Sequence, residues 1–211
     1  MPSLTDINHS SISHLEKGMP PVDGVNPANI ASRGWNVLAQ DMSFPIALLR
    51  EKAIEHNARW MERFALDQQV WLYPHGKTTM APQIFDIQLR NGCQGITAAN
   101  VTHAQVYLEH GVESVFIANQ VVGIQALRRF AKLCRDYPSV DFFLIVDSEA
   151  NALELKAELG DFLVSGQIKL LLEVGAPGGR TGVRTLDEAM RLAAFTAEQG
   201  IPVHGLEAFE G

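Results

Sequence analysis

The chain has 211 residues, of which 46% are hydrophobic and 19% charged, so it can bury a core and does not have the composition of a disordered protein. Its 17 lysine and arginine residues against 24 aspartate and glutamate residues give a net charge of −7, which argues against a nucleic-acid-binding surface. The length fits one large domain or two small ones.

The sequence also indicates where the protein works. The longest apolar runs, such as Phe142–Val146, are far too short to cross a membrane, and the N-terminal residues lack the apolar stretch of a secretory signal. The two cysteines, Cys93 and Cys134, form no C-x-x-C pair and lie in half-apolar helical patterns, which predicts buried thiols. Reduced thiols suit the cytosol, so a cytoplasmic protein is expected.

The N-terminal part carries few periodic apolar residues. Residues 1–34 contain Pro20-Pro21, Gly24 and Pro27, which predicts a loose N-terminal arm ahead of a main domain at 35–211. From Pro45 to Ala65, apolar residues recur every three or four positions, and this predicts a helix that Ser43 or Asp41 caps.

Apolar strands and amphipathic helices alternate beyond that first helix. The predicted strands are Val70–Tyr73, Gly95–Ala98, Ser114–Ala118, Val140–Val146, Ile168–Val174 and Ile201–Leu206. The predicted helices are Ala81–Arg90, Thr102–His110, Gly123–Tyr137, Glu149–Leu159 and Thr185–Gln199, the last of which starts with a Thr185/Glu188 capping box. Glycines 92, 111, 160 and 200 stand where left-handed residues end helices.

This alternation, with strands apolar almost throughout, predicts an α/β fold with a parallel sheet. Two architectures remain: an open doubly wound sheet, and a closed (β/α)8 barrel of the TIM type, which usually needs about 250 residues. Because we count six strands and the sequence stops after the sixth, we interpret the chain as a (β/α)8 barrel truncated after about six strands.

One lysine stands just after the first predicted strand, in the segment Tyr73-Pro74-His75-Gly76-Lys77-Thr78-Thr79. In a barrel, the carboxyl ends of the strands form the face that holds active sites. A lysine there can supply the amine of a Schiff base, and the alternative is a surface lysine beside a turn glycine. Gly76-Lys77-Thr78 also imitates the end of a phosphate-binding loop, but Trp71 stands where that motif requires glycine.

A glycine-rich stretch, Glu173-Val-Gly-Ala-Pro-Gly-Gly-Arg-Thr-Gly182, follows the fifth predicted strand. Its glycines do not match the dinucleotide pattern G-x-G-x-x-G, so a nucleotide fingerprint is not supported. They would let the backbone approach an anion closely, and the loop would then aim Arg180 at a cofactor oxygen. The alternative is a flexible loop with a solvent-facing arginine.

Polar residues follow the other predicted strands. A polar rim suggests a ligand site, although polar side chains at strand ends are also ordinary helix caps, which is how we interpret Asn100 and Asp147. His103 and His110 share one helix face without a third ligand nearby, so no metal site is predicted in this chain. The polar residues at strand ends are Asn100, Asn119, Gln120, Asp147, His204 and Glu207.

Four segments, in the same order, resemble one known family. Pro74-His75-Gly76-Lys77-Thr78 looks like the P-H-x-K-T motif of the D-threonine aldolase and D-serine dehydratase family, fold-type III pyridoxal-phosphate (PLP) enzymes similar to the alanine racemase barrel. Segments 95–100, 116–123 and 173–183 resemble that family's second strand, third strand and E-V-x-x-G-x-G-R-T-G-V segment. Thr79-Met80, Trp35 and residues 57–61 look more like a bacterial branch of amino acid deaminases.

The resemblance implies a PLP-binding barrel domain over residues 35–211, in which Lys77 carries PLP as a Schiff base and removes the α-proton of a small D-amino acid. It also implies that His75 lines the site and that Arg180 lies near the phenolic oxygen of PLP. Loss of a β-hydroxyl and of ammonia would follow, as for D-serine or D-threonine. Retro-aldol cleavage is one alternative, and an inactive or non-catalytic PLP-binding fragment is another.

The resemblance further implies parts that these residues do not contain. They are the last barrel units and a C-terminal β domain, which binds a divalent metal in many members. It implies a homodimer with a small D-amino acid as substrate, and neither a nucleic acid nor a membrane as partner.

Overall fold

A computed structural model of the chain describes residues 4–209, and the contacts divide the chain into two units after Gln68. The first unit contains α1 (Leu4–His9), two short 3-10 turns (Ile30–Arg33 and Val37–Ala39) and α2 (Glu51–Gln68). The extent of the predicted arm, 1–34, and of the barrel domain, 35–211, stays a prediction, and residues 1–3, 210 and 211 lie outside the described part.

The first predicted helix starts later than the sequence indicated. α2 begins at Glu51, where the Arg50 carbonyl accepts the N–H of Ile54 at 3.0 Å, and not at Pro45. Asp41, a predicted cap, instead accepts a hydrogen bond from the N–H of Asn36 at 2.8 Å. Neither predicted cap, Ser43 or Asp41, therefore stands next to the first residue of α2.

The second unit alternates helices and strands. In chain order they are α3 (Pro82–Arg90), β1 (Ile96–Ala98), α4 (Val101–Glu109), β2 (Ser114–Ile117), α5 (Ile124–Asp136), β3 (Asp141–Val146), α6 (Glu149–Val164), β4 (Ile168–Gly175), α7 (Leu186–Glu198) and β5 (Val203–Phe209). Most predicted elements are confirmed to within a few residues. The Thr185 capping box at the start of α7 is confirmed in both of its hydrogen bonds.

Two further predictions about elements are wrong. Residues 70–73 do not form a regular strand: the chain there is extended and bonds to the segment before and within β1, but Pro74 has no N–H to continue the ladder. The helix predicted to end at Gly160 continues to Val164, because Leu163 is buried in the core, and Gly166, at φ +79°, follows its end.

The five strands form one parallel sheet in the order β1-β2-β3-β4-β5. Consecutive helices from α4 to α7 pack against one another, so they cover one face of the sheet. Each strand therefore lies beside the next one in the chain, and the order never reverses along the sheet. This order is typical of a barrel segment, whereas the strand order of a doubly wound sheet reverses at a switch point.

The core lies between this sheet and its helices. Alternate strand residues, such as Ile96, Val115, Phe142 and Leu170, are fully buried there together with helix side chains. Cys134 belongs to this core, and burial raises the pKa of its thiol to about 12, whereas Cys93 is only half-buried. Among residues 4–209, no helix has both the length and the apolar character needed to cross a bilayer.

Candidate active site

The other face of the sheet carries a pocket of about 340 Å³ near the carboxyl ends of the strands. Side chains alternate between the two faces of a strand, so the pocket residues of β1 to β5 interleave with the buried core residues. The pocket is lined by Trp71, Tyr73, His75, Lys77, Thr97, Phe116, Ala118, Ile145, Glu173, Arg180, Glu207 and Phe209.

The three residues that the sequence analysis singled out for cofactor binding all line this pocket. Lys77 is half-buried, while His75 and Arg180 are more exposed. The guanidinium carbon of Arg180 lies 5.3 Å from the ring centre of Phe209, at the distance of a cation–π contact. The structure thus brings the three residues together, and their roles toward a cofactor stay predictions.

Thr97 of β1 fixes the backbone that leads into Lys77. Its N–H donates to the Pro74 carbonyl at 2.8 Å, its hydroxyl donates to the Tyr73 carbonyl at 2.6 Å, and its carbonyl accepts from the N–H of Gly76 at 3.1 Å. These bonds replace the regular ladder that Pro74 interrupts. They hold the extended segment against the edge of the sheet, with Lys77 at its end.

Close packing beneath Gly76 adds to this constraint. A methyl group there would stand 2.6 Å from Ile96 Cγ2, 2.8 Å from the Tyr107 hydroxyl and 2.9 Å from Phe85 Cε1. Burial raises the pKa of Tyr107 to about 12, so its hydroxyl stays protonated and donates to the Thr97 carbonyl at 3.3 Å. Only glycine fits this position without displacing its neighbours.

A buried carboxylate lies on the pocket face of β4. Glu173 is only 1% exposed, and its two oxygens accept hydrogen bonds from the Thr181 hydroxyl at 2.5 Å and from Gln120 Nε2 at 2.8 Å. The pocket therefore combines the basic side chains of Lys77 and Arg180 with the acidic side chains of Glu173 and Glu207. Such a mixture suits a polar ligand that carries both charges.

The polar residues at strand ends take different positions. Asn100 caps α4 by accepting from the N–H of His103 at 2.9 Å, as predicted. Asp147 is not a cap, because Ser148 caps α6 and Asp147 accepts from the N–H of Gly182 at 2.9 Å. Of the remaining four, Glu207 lines the pocket, Gln120 donates to Glu173 of the pocket, Asn119 is half-buried outside the pocket lining, and His204 is exposed.

The sequence analysis missed the aromatic and hydroxyl lining. Trp71, Tyr73, Thr97, Phe116 and Phe209 all face the pocket. Strand alternation places Thr97 and Phe116 between buried core residues, but it does not say which face of the sheet holds a pocket. Within the described part of the chain, no group of three or more His, Cys, Asp or Glu side chains is arranged to hold a metal ion.

Comparison with known proteins identifies the relatives of this chain. It is 30% identical over 170 residues to the D-threonine aldolase of an Arthrobacter species, and 24% identical over 173 residues to the 3-hydroxy-D-aspartate aldolase of Paracoccus denitrificans. The chain is a homologue of these enzymes and fits the fold-type III PLP family. The resemblance stated from the motifs is confirmed, although no family model matches the chain.

Solved structures agree with this relationship. The chain superposes on D-threonine aldolase from Filomicrobium marinum with a TM-score of 0.72 and 30% identity, over 81% of this chain and 45% of that one. The fold is shared with D-threo-3-hydroxyaspartate dehydratase from Delftia sp. HT23, at a TM-score of 0.64 and 23% identity over 79% of this chain and 43% of that one. It is also shared with alanine racemase from Bacillus anthracis, at a TM-score of 0.57 and 16% identity over 77% of this chain and 42% of that one. The α/β barrel class is thereby confirmed.

The match covers most of this chain but less than half of each relative. The curated aldolases align over 79% and 81% of the chain, and over 43% and 44% of their own length.

Proposed function

We propose that this chain is part of a PLP-dependent lyase that acts on small D-amino acids, and that Lys77 is the lysine that binds PLP. The observation that carries the proposal is the pocket that Lys77, His75 and Arg180 line together. The homologues named for D-threonine and 3-hydroxy-D-aspartate support the substrate class.

The residues of the pocket fit the cofactor chemically. A primary amine on Lys77 can bond to the aldehyde of PLP, and the guanidinium of Arg180 can donate to an oxygen anion on its ring. Trp71, Tyr73 and Phe116 offer aromatic surface for a flat heterocycle. When bound, PLP supplies an electron sink for charge that develops at the substrate's α-carbon.

The chain's own groups then have defined tasks. The Lys77 amine, once released from the cofactor, can take a proton from the α-carbon at its Nζ atom. Arg180 orients the cofactor, and His75 contributes to the wall beside the lysine. The apolar side chains of Phe116 and Ile145 limit water on the sheet side of the pocket.

Two reactions of a β-hydroxylated D-amino acid are open to such a site. Elimination of water from D-threonine, followed by hydrolysis of the resulting imine, gives 2-oxobutanoate and ammonia, which is the dehydratase or deaminase reaction implied by the motifs. Retro-aldol cleavage gives glycine and acetaldehyde, and the 30% identity to a D-threonine aldolase favours this second reaction.

Incubation of the full-length protein with PLP and D-threonine separates the two reactions. Formation of 2-oxobutanoate supports the deaminase, and glycine with acetaldehyde supports the aldolase. PLP binding without either product would support a non-catalytic PLP-binding protein instead. Parallel assays with a metal chelator test the divalent-metal requirement, since a mutant of a D-threo-3-hydroxyaspartate dehydratase is described in a metal-free form.

The assembly and location of the protein belong to the same proposal. By resemblance to the family, we expect a homodimer in the cytoplasm. Size-exclusion chromatography with light scattering of the full-length protein tests the dimer, and a monomer would contradict that part.

A further inference from the structure

The loop between β4 and α7 is held by one arginine that lies outside the pocket. The Arg184 guanidinium donates from Nη2 to the Gly179 carbonyl at 2.7 Å and from Nη1 to the Gly182 carbonyl at 2.7 Å, and Nη1 also donates to the Thr181 carbonyl. These carbonyls stand on both sides of Arg180 in the chain. A planar guanidinium can serve several fixed acceptors at once, which a lysine ammonium on its flexible stem cannot match.

The glycines of the loop make room for this arrangement. A methyl group at Gly175 would collide with the Arg184 guanidinium and the Thr181 carbonyl. Gly182 has φ +91°, a backbone conformation that side-chain-bearing residues rarely adopt, and it packs directly against the Gly175 backbone. Glycines at 175 and 182 therefore allow the loop to fold closely around Arg184. Their presence does not require the loop to be flexible.

Two carboxylates hold the same loop from the sheet. Glu173 accepts from the Thr181 hydroxyl at 2.5 Å, and Asp147 accepts from the N–H of Gly182 at 2.9 Å. Residues 179, 181 and 182 are thus fixed by side chains, whereas the Arg180 side chain extends over Phe209 in the pocket. Side chains on both sides of Arg180 therefore hold its backbone in this position.

We propose that Arg184 is a positioning residue for Arg180: it clamps the loop carbonyls so that the Arg180 guanidinium is presented to the cofactor. The inference rests on the proposed function, because the contact of Arg180 with PLP belongs to that function. Arg184 itself does not line the 340 Å³ pocket. Its effect on the cofactor is therefore transmitted through the loop.

A double-mutant cycle on PLP binding to the full-length apoprotein tests this role. Arg184→Ala and Arg180→Ala should each weaken PLP binding by a similar factor, on the order of tenfold, as when a hydrogen bond to a charged group is lost. Arg184→Ala should add no further loss in the Arg180→Ala background. Arg184→Lys, which keeps the charge without the planar fork, should resemble Arg184→Ala.

Arg191→Ala is the matched control, because Arg191 is an exposed arginine of α7 that lines a surface groove together with Arg184. It should bind PLP like the wild type. Amide hydrogen exchange of residues 179–182, measured without PLP, should become faster in Arg184→Ala and in Arg184→Lys and stay unchanged in Arg191→Ala. The lysine variant carries the test if the alanine variant does not fold.

The two proposals fail in different ways. If the wild type binds no PLP, the proposed function is wrong, while hydrogen exchange still reports whether Arg184 holds the loop. If the wild type binds PLP, two results would overturn the inference. One is an equal loss from Arg184→Ala with and without Arg180, and the other is unchanged loop exchange in both Arg184 variants.

Discussion

At the scale of single residues, close packing constrains the segment that carries Lys77, in addition to the chemistry proposed for the lysine. From the sequence, Lys77 could be predicted as a Schiff-base lysine or as a surface lysine beside a turn glycine. The structure places it half-buried at a pocket, beside a glycine that touches Ile96, Tyr107 and Phe85. The sequence could not show this, because those contacts join residues that are distant along the chain.

Gly76→Ala tests this constraint. The added methyl group meets three atoms closer than 3.0 Å, so we expect a loss of about 1–3 kcal/mol in the free energy of unfolding, as in other overpacked cores. Displacement of the segment should also weaken PLP binding at Lys77. Both are measured on the purified full-length protein, by urea unfolding and by PLP titration.

Gly160→Ala provides the matched control, because Gly160 lies inside α6 with no atom within 4 Å of the added methyl group. This change should leave stability unchanged or raise it by about 0.5–1 kcal/mol, the helix preference of alanine over glycine. Equal stabilities of the two variants would show that the packing beneath Gly76 does not constrain the lysine segment.

At the scale of elements, local signals predicted most boundaries, and tertiary burial moved the end of α6. The capping box of α7 and the left-handed glycines at 92, 111 and 200 are where the sequence placed them. Gly160 failed as a stop signal because the helix gains more from burying Leu163 than it loses at one glycine.

The free energy of unfolding should depend on pH through Glu188, the carboxyl group of the α7 capping box. Glu188 accepts the backbone N–H groups of Arg184 and Thr185, and these bonds, the one from Arg184 first, lower the pKa of its carboxyl group. A carboxyl whose pKa is lower in the folded state stabilises the fold above its unfolded pKa, and this contribution is lost as the pH falls through the folded pKa. Wild-type stability should therefore exceed that of Glu188→Gln at neutral pH and converge with it in acid.

Urea unfolding at a series of pH values measures that difference. Glu198→Gln, the same substitution at the last residue of α7, is the control, and it should not reproduce the loss at neutral pH because its carboxylate lies at the negative end of the helix dipole. A gap between the wild type and Glu188→Gln that stays constant down to acid pH would contradict the assignment.

At the scale of the whole molecule, strand–helix alternation was enough to predict the parallel sheet, but not which side of it holds the site. Phe116 and Ile145 are as apolar as the core residues beside them, yet they line the pocket. Only the register of the assembled sheet separates the two faces. For this reason the motif residues could be predicted from the sequence, while the aromatic lining could not.

The same scaffold is found in relatives with different products. The homologous structures include an aldolase and a dehydratase, both superposed over more than three quarters of the chain. The fold therefore does not decide between the two reactions. That choice depends on which bond of the substrate the site breaks.

The proposed function depends most directly on a covalent bond between PLP and the Lys77 amine. Borohydride transfers a hydride to the C=N bond of such a Schiff base and leaves a stable secondary amine, which peptide mass spectrometry can locate. Lys169 is the matched control, because it lies on the same face of β4 as Glu173 but pairs with Asp141 at 2.5 Å. We predict the reduced cofactor on Lys77 in the full-length wild type and in Lys169→Ala, and its absence in Lys77→Ala. Reduced cofactor on another lysine while Lys77 stays unmodified would contradict the account.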